Sequence, residues 1–257
     1  MMSMFGSREP GAGSRGTRET TMRRGAERPA PGSRLPLALA ALATVLVGPA
    51  PAQVGYDPEN SPFRDIRKGS ALAFGVGWFA GDAGNLGIGP TDGPTATLRY
   101  ELSLGGPTLV TLGTTFAQLE RNVANPDPDT LPVRTGPFGT DILMLDLGLQ
   151  LRLTGQKSYR RLAPYLGAAM GLAFELSGPP DPGGYQFGTR FTIAPGAGVR
   201  VYPGRRLSMS VDFRLLFWTL SYPTSYQVGS PPLVPPGGDT SDWTTHPWTT
   251  VGVAWTF

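Results

Sequence analysis

The chain has 257 residues, 40% hydrophobic and 16% charged, with no cysteine and one histidine. The lack of cysteine excludes disulfide scaffolds, thiolate metal sites and cysteine nucleophiles. The single histidine argues against metal or catalytic sites built on histidine. The net charge of +3 comes from residues 1–52, which carry seven Arg against three Glu; the remainder has 15 basic and 16 acidic residues. A nearly neutral mature chain gives no support to a nucleic-acid partner, and we expect none.

The N-terminal region has the organisation of a signal peptide. Leu35–Val47 is an uncharged run of 13 residues, and Ala50 and Ala52 form a small-x-small cleavage site. This length fits the apolar region of a signal peptide and is too short for a spanning helix. We therefore predict that residues 1–52 are a signal peptide, that the mature protein begins at Gln53 and is exported, and that Met22 is an alternative start.

The rest of the chain alternates apolar and polar residues with a period of two. In Asp141–Thr154 a leucine stands at every second position from 143 to 153, and apart from Met144 the intervening positions are small, polar or charged. Such a pattern places the two sets on opposite faces of a strand, whereas a helix would mix them. Eight stretches of this kind are predicted as strands: Ala71–Ala80, Thr95–Leu104, Thr108–Leu119, Asp141–Thr154, Ala163–Glu175, Gln186–Tyr202, Leu207–Trp218 and Trp248–Phe257.

The polar face of these strands combines small residues with charges of both signs and has no lysine. In a soluble sheet this face would meet water, where long charged side chains are common and glycine is not. The composition instead favours the narrow lumen of a closed eight-stranded barrel, in which each charge needs a partner. The predicted lumen charge network consists of Arg99, Glu101, Asp146, Arg152, Glu175, Arg190, Arg200, Asp212 and Arg214.

The connections between the predicted strands alternate between short turns and longer loops rich in Pro, Gly and Asp. Short turns at one end, long loops at the other and an even strand number are typical of outer-membrane barrels. We therefore predict an all-β fold, an eight-stranded antiparallel up-and-down transmembrane β-barrel over residues 70–257, preceded by a periplasmic N-terminal segment, residues 53–69. Five aromatic residues near strand ends are predicted to form girdles at the membrane interfaces: Trp78, Tyr100, Phe217, Trp248 and Trp255.

Three sequence groups resemble the small eight-stranded outer-membrane β-barrels of bacteria, the class that includes the transmembrane domain of outer-membrane protein A. They are Pro164–Gly171, Val211–Arg214 and the terminal Val251–Phe257. In the last group Val251, Val253, Trp255 and Phe257 alternate and end on an aromatic residue, as in the C-terminal assembly signal of this class. The resemblance implies an outer-membrane location, lipid as a partner, and insertion by the barrel assembly machinery. It implies no particular activity.

We predict no catalytic, cofactor-binding or metal-binding residues. His246 is interpreted as a solvated or girdle-level histidine, although Asp239, Asp242 and nearby serines could in principle join it. Asn125–Asp129 offers alternating oxygen atoms but lacks the Gly and Glu of a calcium-binding loop. Gly196 and Gly198 lack the third glycine of a nucleotide-binding loop and are attributed to lumen packing.

The predicted function is a structural or surface-interaction role in the cell envelope, without enzymatic activity and with an unknown surface ligand. Three alternatives remain: a narrow pore, a lipid-modifying enzyme, and a soluble carrier of the lipocalin type. A lipocalin would turn its apolar face inward and show polar outer faces, whereas the predicted outer faces here carry essentially no charge.

Overall fold

The computed structural model describes residues 61–126, 133–228 and 232–257. The predicted signal peptide and its cleavage site lie outside these ranges. The strands in these ranges are β1 (Phe63–Asp65), β2 (Ser70–Phe79), β3 (Gly93–Gly105), β4 (Thr108–Ala124), β5 (Arg134–Arg152), β6 (Lys157–Tyr159), β7 (Leu162–Ser177), β8 (Thr189–Val201), β9 (Leu207–Ser221) and β10 (Ser241–Thr256). The same ranges contain one short helix, α1 (Ser225–Val228). In the described part of the chain, no helix has the length and apolar character needed to cross a membrane.

Eight of the strands close into a ring in which every neighbour is antiparallel. The order is β2-β3-β4-β5-β7-β8-β9-β10, and β10 pairs back onto β2 from Trp248 opposite Phe79 to Thr256 opposite Ala71. Closure leaves no free sheet edge, so each long strand has hydrogen-bonding partners on both sides. The predicted fold class, an eight-stranded antiparallel up-and-down barrel, is confirmed.

The alternating pattern places apolar side chains outside the barrel and small or polar ones inside. On β5, Leu147 and Leu149 are more than half exposed, while Gln150 between two outward leucines is buried. Between the two ends of the barrel, the outward positions of the described strands carry no charged side chain. This arrangement is the reverse of a lipocalin, which contradicts the soluble-carrier alternative.

Several strands extend further toward the long loops than predicted. β5 begins at Arg134 instead of Asp141, and β10 begins at Ser241 instead of Trp248. These extensions pair with the equally long ends of β4 and β9. Their outward residues include exposed polar groups, so they lack the apolar alternation from which the strand bounds were predicted. At this end, called the loop end below, the sheet therefore continues beyond its apolar band.

The start of β8 differs from the prediction for a local reason. Gly188 has φ +64°, a left-handed conformation that L residues with side chains rarely adopt, and β8 begins after it at Thr189. The turn breaks the alternation of the preceding residues. Phe187, predicted on the outer face, is instead fully buried.

The opposite end of the barrel, called the short-turn end, holds both the start of β2 and the end of β10. Here β1 pairs with β6, and the amide of Ile66 donates to the carbonyl of Gln156 at 2.9 Å. The Ile66 side chain is buried. Residues 61–69, the described part of the predicted N-terminal segment, are thus joined to the 153–161 connection by backbone hydrogen bonds.

Candidate functional site: the barrel interior

The lumen near the short-turn end contains a bidentate ion pair between Arg200 on β8 and Glu101 on β3. Its two N···O distances are 2.5 and 2.7 Å, and both side chains are buried. Beside it, a guanidinium nitrogen of Arg99 lies 3.7 Å from a carboxylate oxygen of Asp212, which also accepts a hydrogen bond from the hydroxyl of Tyr165. Side chains from strands that are distant in the sequence thus pair their opposite charges inside the barrel.

A second pair lies between β9 and β5, where Arg214 is 3.8 Å from Asp146. The guanidinium also lies over the ring of Trp248, 5.4 Å from its centroid, and the indole nitrogen of Trp248 donates to the hydroxyl of Thr95 at 3.1 Å. Trp248 is therefore a lumen residue, and its predicted place in a membrane girdle is wrong. Because β10 begins seven residues before Trp248, this residue lies within the strand on its inward face.

Near the loop end, the central charged residue is Arg121, which the sequence analysis missed. It is buried, lies 3.6 Å from Glu175 and 4.0 Å from Asp181, and donates to the carbonyl of Pro179 at 2.8 Å. The other oxygen of Glu175 accepts from the amide of Phe187 at 2.9 Å. Arg121 lies two residues beyond the predicted end of its strand; extending the inward alternation from Ala117 would have found it.

The remaining predicted network residues, Arg152 and Arg190, form no ion pair with a carboxylate in the described ranges. Arg190 donates to the hydroxyl of Ser221 at 2.8 Å. Arg152 lines a small cavity with Glu101 and Arg200. The structure thus distributes the nine predicted residues over several small clusters along the lumen.

An aromatic cluster, called the cap below, fills the lumen at the loop end. The ring of His246 lies 5.1 Å from that of Phe79 and 4.3 Å from that of Trp218, and Phe187 packs edge-on against Trp218 at 4.9 Å. All four side chains are fully buried. The interpretation of His246 as a solvated or girdle-level residue is therefore wrong, because the inward face of β10 carries it into the cap.

The cap continues into the loops through Tyr185 and Tyr226. The hydroxyl of Tyr226, on α1, donates to a carboxylate oxygen of Asp181 at 2.9 Å. Burial and then the negative charge of Asp181 raise the pKa of Tyr226 above its usual range. Burial likewise raises the pKa of Tyr185. Both phenols are thus held neutral, and Tyr226 links two loops.

His246 and Thr244 place a hydroxyl beside an imidazole, the beginning of a nucleophile and base pair. The Nε2 atom of His246 is 2.7 Å from the Thr244 hydroxyl. A working triad also needs an acid that orients the histidine and a path for substrate. Within the described residues Nδ1 has no hydrogen-bond partner, and both side chains are buried. This geometry fits packing in the cap better than catalysis.

The described residues contain no group of three or more His, Cys, Asp or Glu placed to hold a metal ion. Of the Asn125–Asp129 segment, residues 127–129 lie outside the described ranges. A side chain at Gly198 would meet the ring of Tyr165 at 2.5 Å, so this glycine makes room for a lumen aromatic residue.

Cavities lined by lumen residues are small. Three cavities lined by lumen residues each measure about 10 Å³, which is roughly the room for one water molecule. An eight-stranded barrel has an interior just wide enough for side chains to fill.

Three residues of the predicted C-terminal assembly signal lie on the outer face of β10, and the fourth, Phe257, directly follows the strand. Val251, Val253, Trp255 and Phe257 are about half exposed and form a continuous apolar edge beside β2 and β9. Their position is that of lipid-facing residues in the strand that closes the ring.

The sequence matches no family model and no curated protein. Among solved structures, Neisserial surface protein A has 15% identity and a TM-score of 0.46, with 77% of this chain and 98% of that chain covered. Outer membrane protein OprG from Pseudomonas aeruginosa has 13% identity and a TM-score of 0.43, covering 75% and 98%. The outer membrane enzyme PagL has 13% identity and a TM-score of 0.38, covering 71% and 97%.

The chain's own strand pairing and surface define its fold. Its eight strands form a closed antiparallel ring, its outer face is apolar and uncharged between the two ends, and its charges are paired inside. A closed ring satisfies every internal backbone group without water, which is the condition for spanning a bilayer with strands. The chain is a closed eight-stranded antiparallel β-barrel whose strand pairing and outer face meet this condition.

Proposed function

We propose that this protein is a closed, non-conducting barrel that serves the cell envelope through structure and surface interaction. The observation that carries the proposal is the cap. Phe79, Phe187, Trp218 and His246 fill the lumen where a pore would need an aqueous opening. The four rings are buried and in mutual contact, so an ion crossing this layer would have to displace them or lose its hydration shell.

The loop end offers a folded surface rather than an open mouth. Asp181 accepts hydrogen bonds from loop amides and from Tyr226, and Asp242 accepts from the amide of Asn85 at 2.7 Å. In the described part of this end, eight acidic residues stand against three basic ones; the acidic residues are Asp82, Asp92, Glu120, Asp141, Glu175, Asp181, Asp239 and Asp242. Glu175 and Asp181 belong to the buried Arg121 cluster, but Asp82, Asp92, Glu120 and Asp239 are exposed, and Arg134 is the one exposed basic residue in the described part of this end. A partner outside the cell would therefore meet a largely negative surface there.

Absence of catalysis is part of the same proposal. The hydroxyl and imidazole of Thr244 and His246 lie inside the cap, whereas a lipid substrate would approach from the outer face. Incubation of the purified protein with phospholipid vesicles should release no fatty acid. Release that is lost in a His246→Asn variant would contradict this part of the proposal.

Conductance in a planar lipid bilayer tests the central claim. We expect insertion of the mature protein to add no current steps, and we expect the same for a Trp255→Ala variant, which alters only the outer face. Regular steps from the wild-type protein would overturn the proposal and favour the narrow-pore alternative. A Trp218→Ala variant that conducts while the wild type does not would show directly that the cap closes the lumen.

A further inference from the structure

The short-turn end carries a concentration of positive charge that the barrel fold does not require. The described residues 61–69, 153–161 and 202–206 contain eight basic residues and one acidic residue, Asp65. The basic residues are Arg64, Arg67, Lys68, Lys157, Arg160, Arg161, Arg205 and Arg206. The loop end has the opposite balance. In outer-membrane barrels the short-turn end faces the periplasm, so this charge lies next to the inner leaflet.

Four of these arginines surround one cleft. Arg64, Arg67, Arg161 and Arg205 line it together with Asp65, Ser158 and Tyr202, and its volume is about 230 Å³. None of the four takes part in an ion pair in the described ranges. Positive charges gathered around one cleft repel one another, and an anion bound between them offsets this repulsion. The cleft is smaller than the ~300 Å³ at the low end of drug-sized pockets, which suits a single anionic group.

The backbone provides a second, independent observation. Arg160 and Arg161 have φ of 49° and 70° and form the two-residue turn between Tyr159 and Leu162. Such left-handed turns strongly favour Asn-Gly, because side chains larger than glycine are strained there. Strained residues that persist in a well-formed hairpin are typical of ligand clamps. Of the two, Arg161 lines the cleft, whereas the guanidinium of Arg160 lies over the ring of Tyr159, 5.5 Å from its centroid.

The surroundings indicate where the anion comes from. Leu162 and Val201, beside the two arginine-bearing connections, are exposed on the apolar outer face. The cleft therefore lies just beyond the hydrocarbon boundary, at the level of lipid headgroups. Arginine binds phosphate through two parallel hydrogen bonds, which makes it the side chain best suited to this group.

We propose that this cleft is a binding site for phosphate, and that its source is the headgroup of an anionic phospholipid in the inner leaflet. The lipid's chains would lie along the apolar face while its phosphate is held by Arg64, Arg67, Arg161 and Arg205. The proposal rests on the orientation of the barrel in the outer membrane and not on the closed lumen. Its test is therefore separate from the conductance experiment.

The variant that tests the site replaces the arginine turn with the residues that the turn prefers, Arg160→Asn with Arg161→Gly. This change removes two charges and relieves the turn, so the barrel should fold at least as well as the wild type. The matched control, Lys157→Gln with Arg206→Gln, removes the same charge from positions that do not line the cleft. Heat-dependent mobility on gels reports that both variants are folded.

Native mass spectrometry of the detergent-solubilised mature protein, titrated with lipids of identical acyl chains, provides the measurement. We expect one phosphatidylglycerol to be retained in preference to phosphatidylcholine, and we expect the turn variant to weaken this retention by about tenfold, since it loses charge-assisted hydrogen bonds. The control should stay within about twofold of the wild type, because rim charges outside a site contribute little.

Further arms distinguish the sources of phosphate. Displacement of the lipid by millimolar inorganic phosphate, with direct phosphate binding lost in the turn variant, would support the site and assign it to the free anion. Equal retention of both lipids, or equal losses in the turn variant and its control, would overturn the proposal. The proposal would also be overturned if the protein sedimented with isolated peptidoglycan in a way that depends on these arginines and showed no lipid preference.

Discussion

Removing Glu101 from the lumen is the sharpest test of the paired-charge interior. The guanidinium of Arg200 is buried and makes two short hydrogen bonds to this carboxylate. The nearest other acidic group in this layer, Asp212, is already shared by Arg99 and Tyr165. A Glu101→Ala variant therefore leaves a buried positive charge without a partner.

The expected loss follows from this burial. Leaving one member of a buried ion pair uncompensated costs about 3–5 kcal/mol, a large share of the ~5–15 kcal/mol that stabilises a typical folded domain. A double variant, Glu101→Leu with Arg200→Met, removes both charges and keeps apolar volume in their place. It should recover most of the loss, because replacing a whole buried pair is often neutral.

Urea unfolding in phospholipid vesicles, followed by tryptophan fluorescence and by gel mobility, gives the free energies of unfolding. Lys157→Ala at the short-turn end is the control and should change stability by less than about 0.5 kcal/mol. If Glu101→Ala and Lys157→Ala have equal unfolding midpoints, the lumen is solvated. The argument from buried charge would then fail, and a water-filled pore would regain support.

Three further predictions concern packing, closure and the cap. Gly171→Ala places a methyl group 2.0 Å from a carbonyl oxygen of β5 and should lower the free energy of unfolding in urea by about 1–3 kcal/mol. Gly139→Ala is the control, because a methyl group there meets open space and should leave the free energy of unfolding unchanged. Equal effects of the two substitutions would refute the packing argument. Deleting Trp255–Phe257 should prevent accumulation in outer-membrane fractions, because the ring cannot close; a soluble, folded product would contradict a lipid-facing exterior. The raised pKa of Tyr226 contributes stability below the ordinary phenol pKa of about 10 and loses it as pH rises above that value, so Tyr226→Phe should reduce alkaline unfolding. No difference between this variant and the wild type in an alkaline titration would show that the phenol is not held neutral.

The sequence alone was sufficient to predict the barrel because its period of two is a local property. In a strand, successive side chains point to opposite faces whatever the rest of the chain does, so the leucines of β5 could be assigned to one face directly. The charges opposite them could be assigned to the lumen for the same reason. Short and long connections then fixed the strand order around the ring, because antiparallel neighbours follow one another.

The tertiary structure was needed to place the residues whose position the alternation of apolar and polar residues does not indicate. His246 and Trp248 lie on a part of β10 with few apolar outward residues, so the sequence pattern does not indicate which face they occupy. The pairing of this part of β10 with β9 places both side chains inside the barrel. Arg121 found its partners through contacts with residues more than 50 positions away. The cleft at the short-turn end likewise joins three separate connections. Periodicity tells which face a residue occupies, whereas the partner it meets there depends on ring closure and on loop packing, which bring together residues distant in sequence.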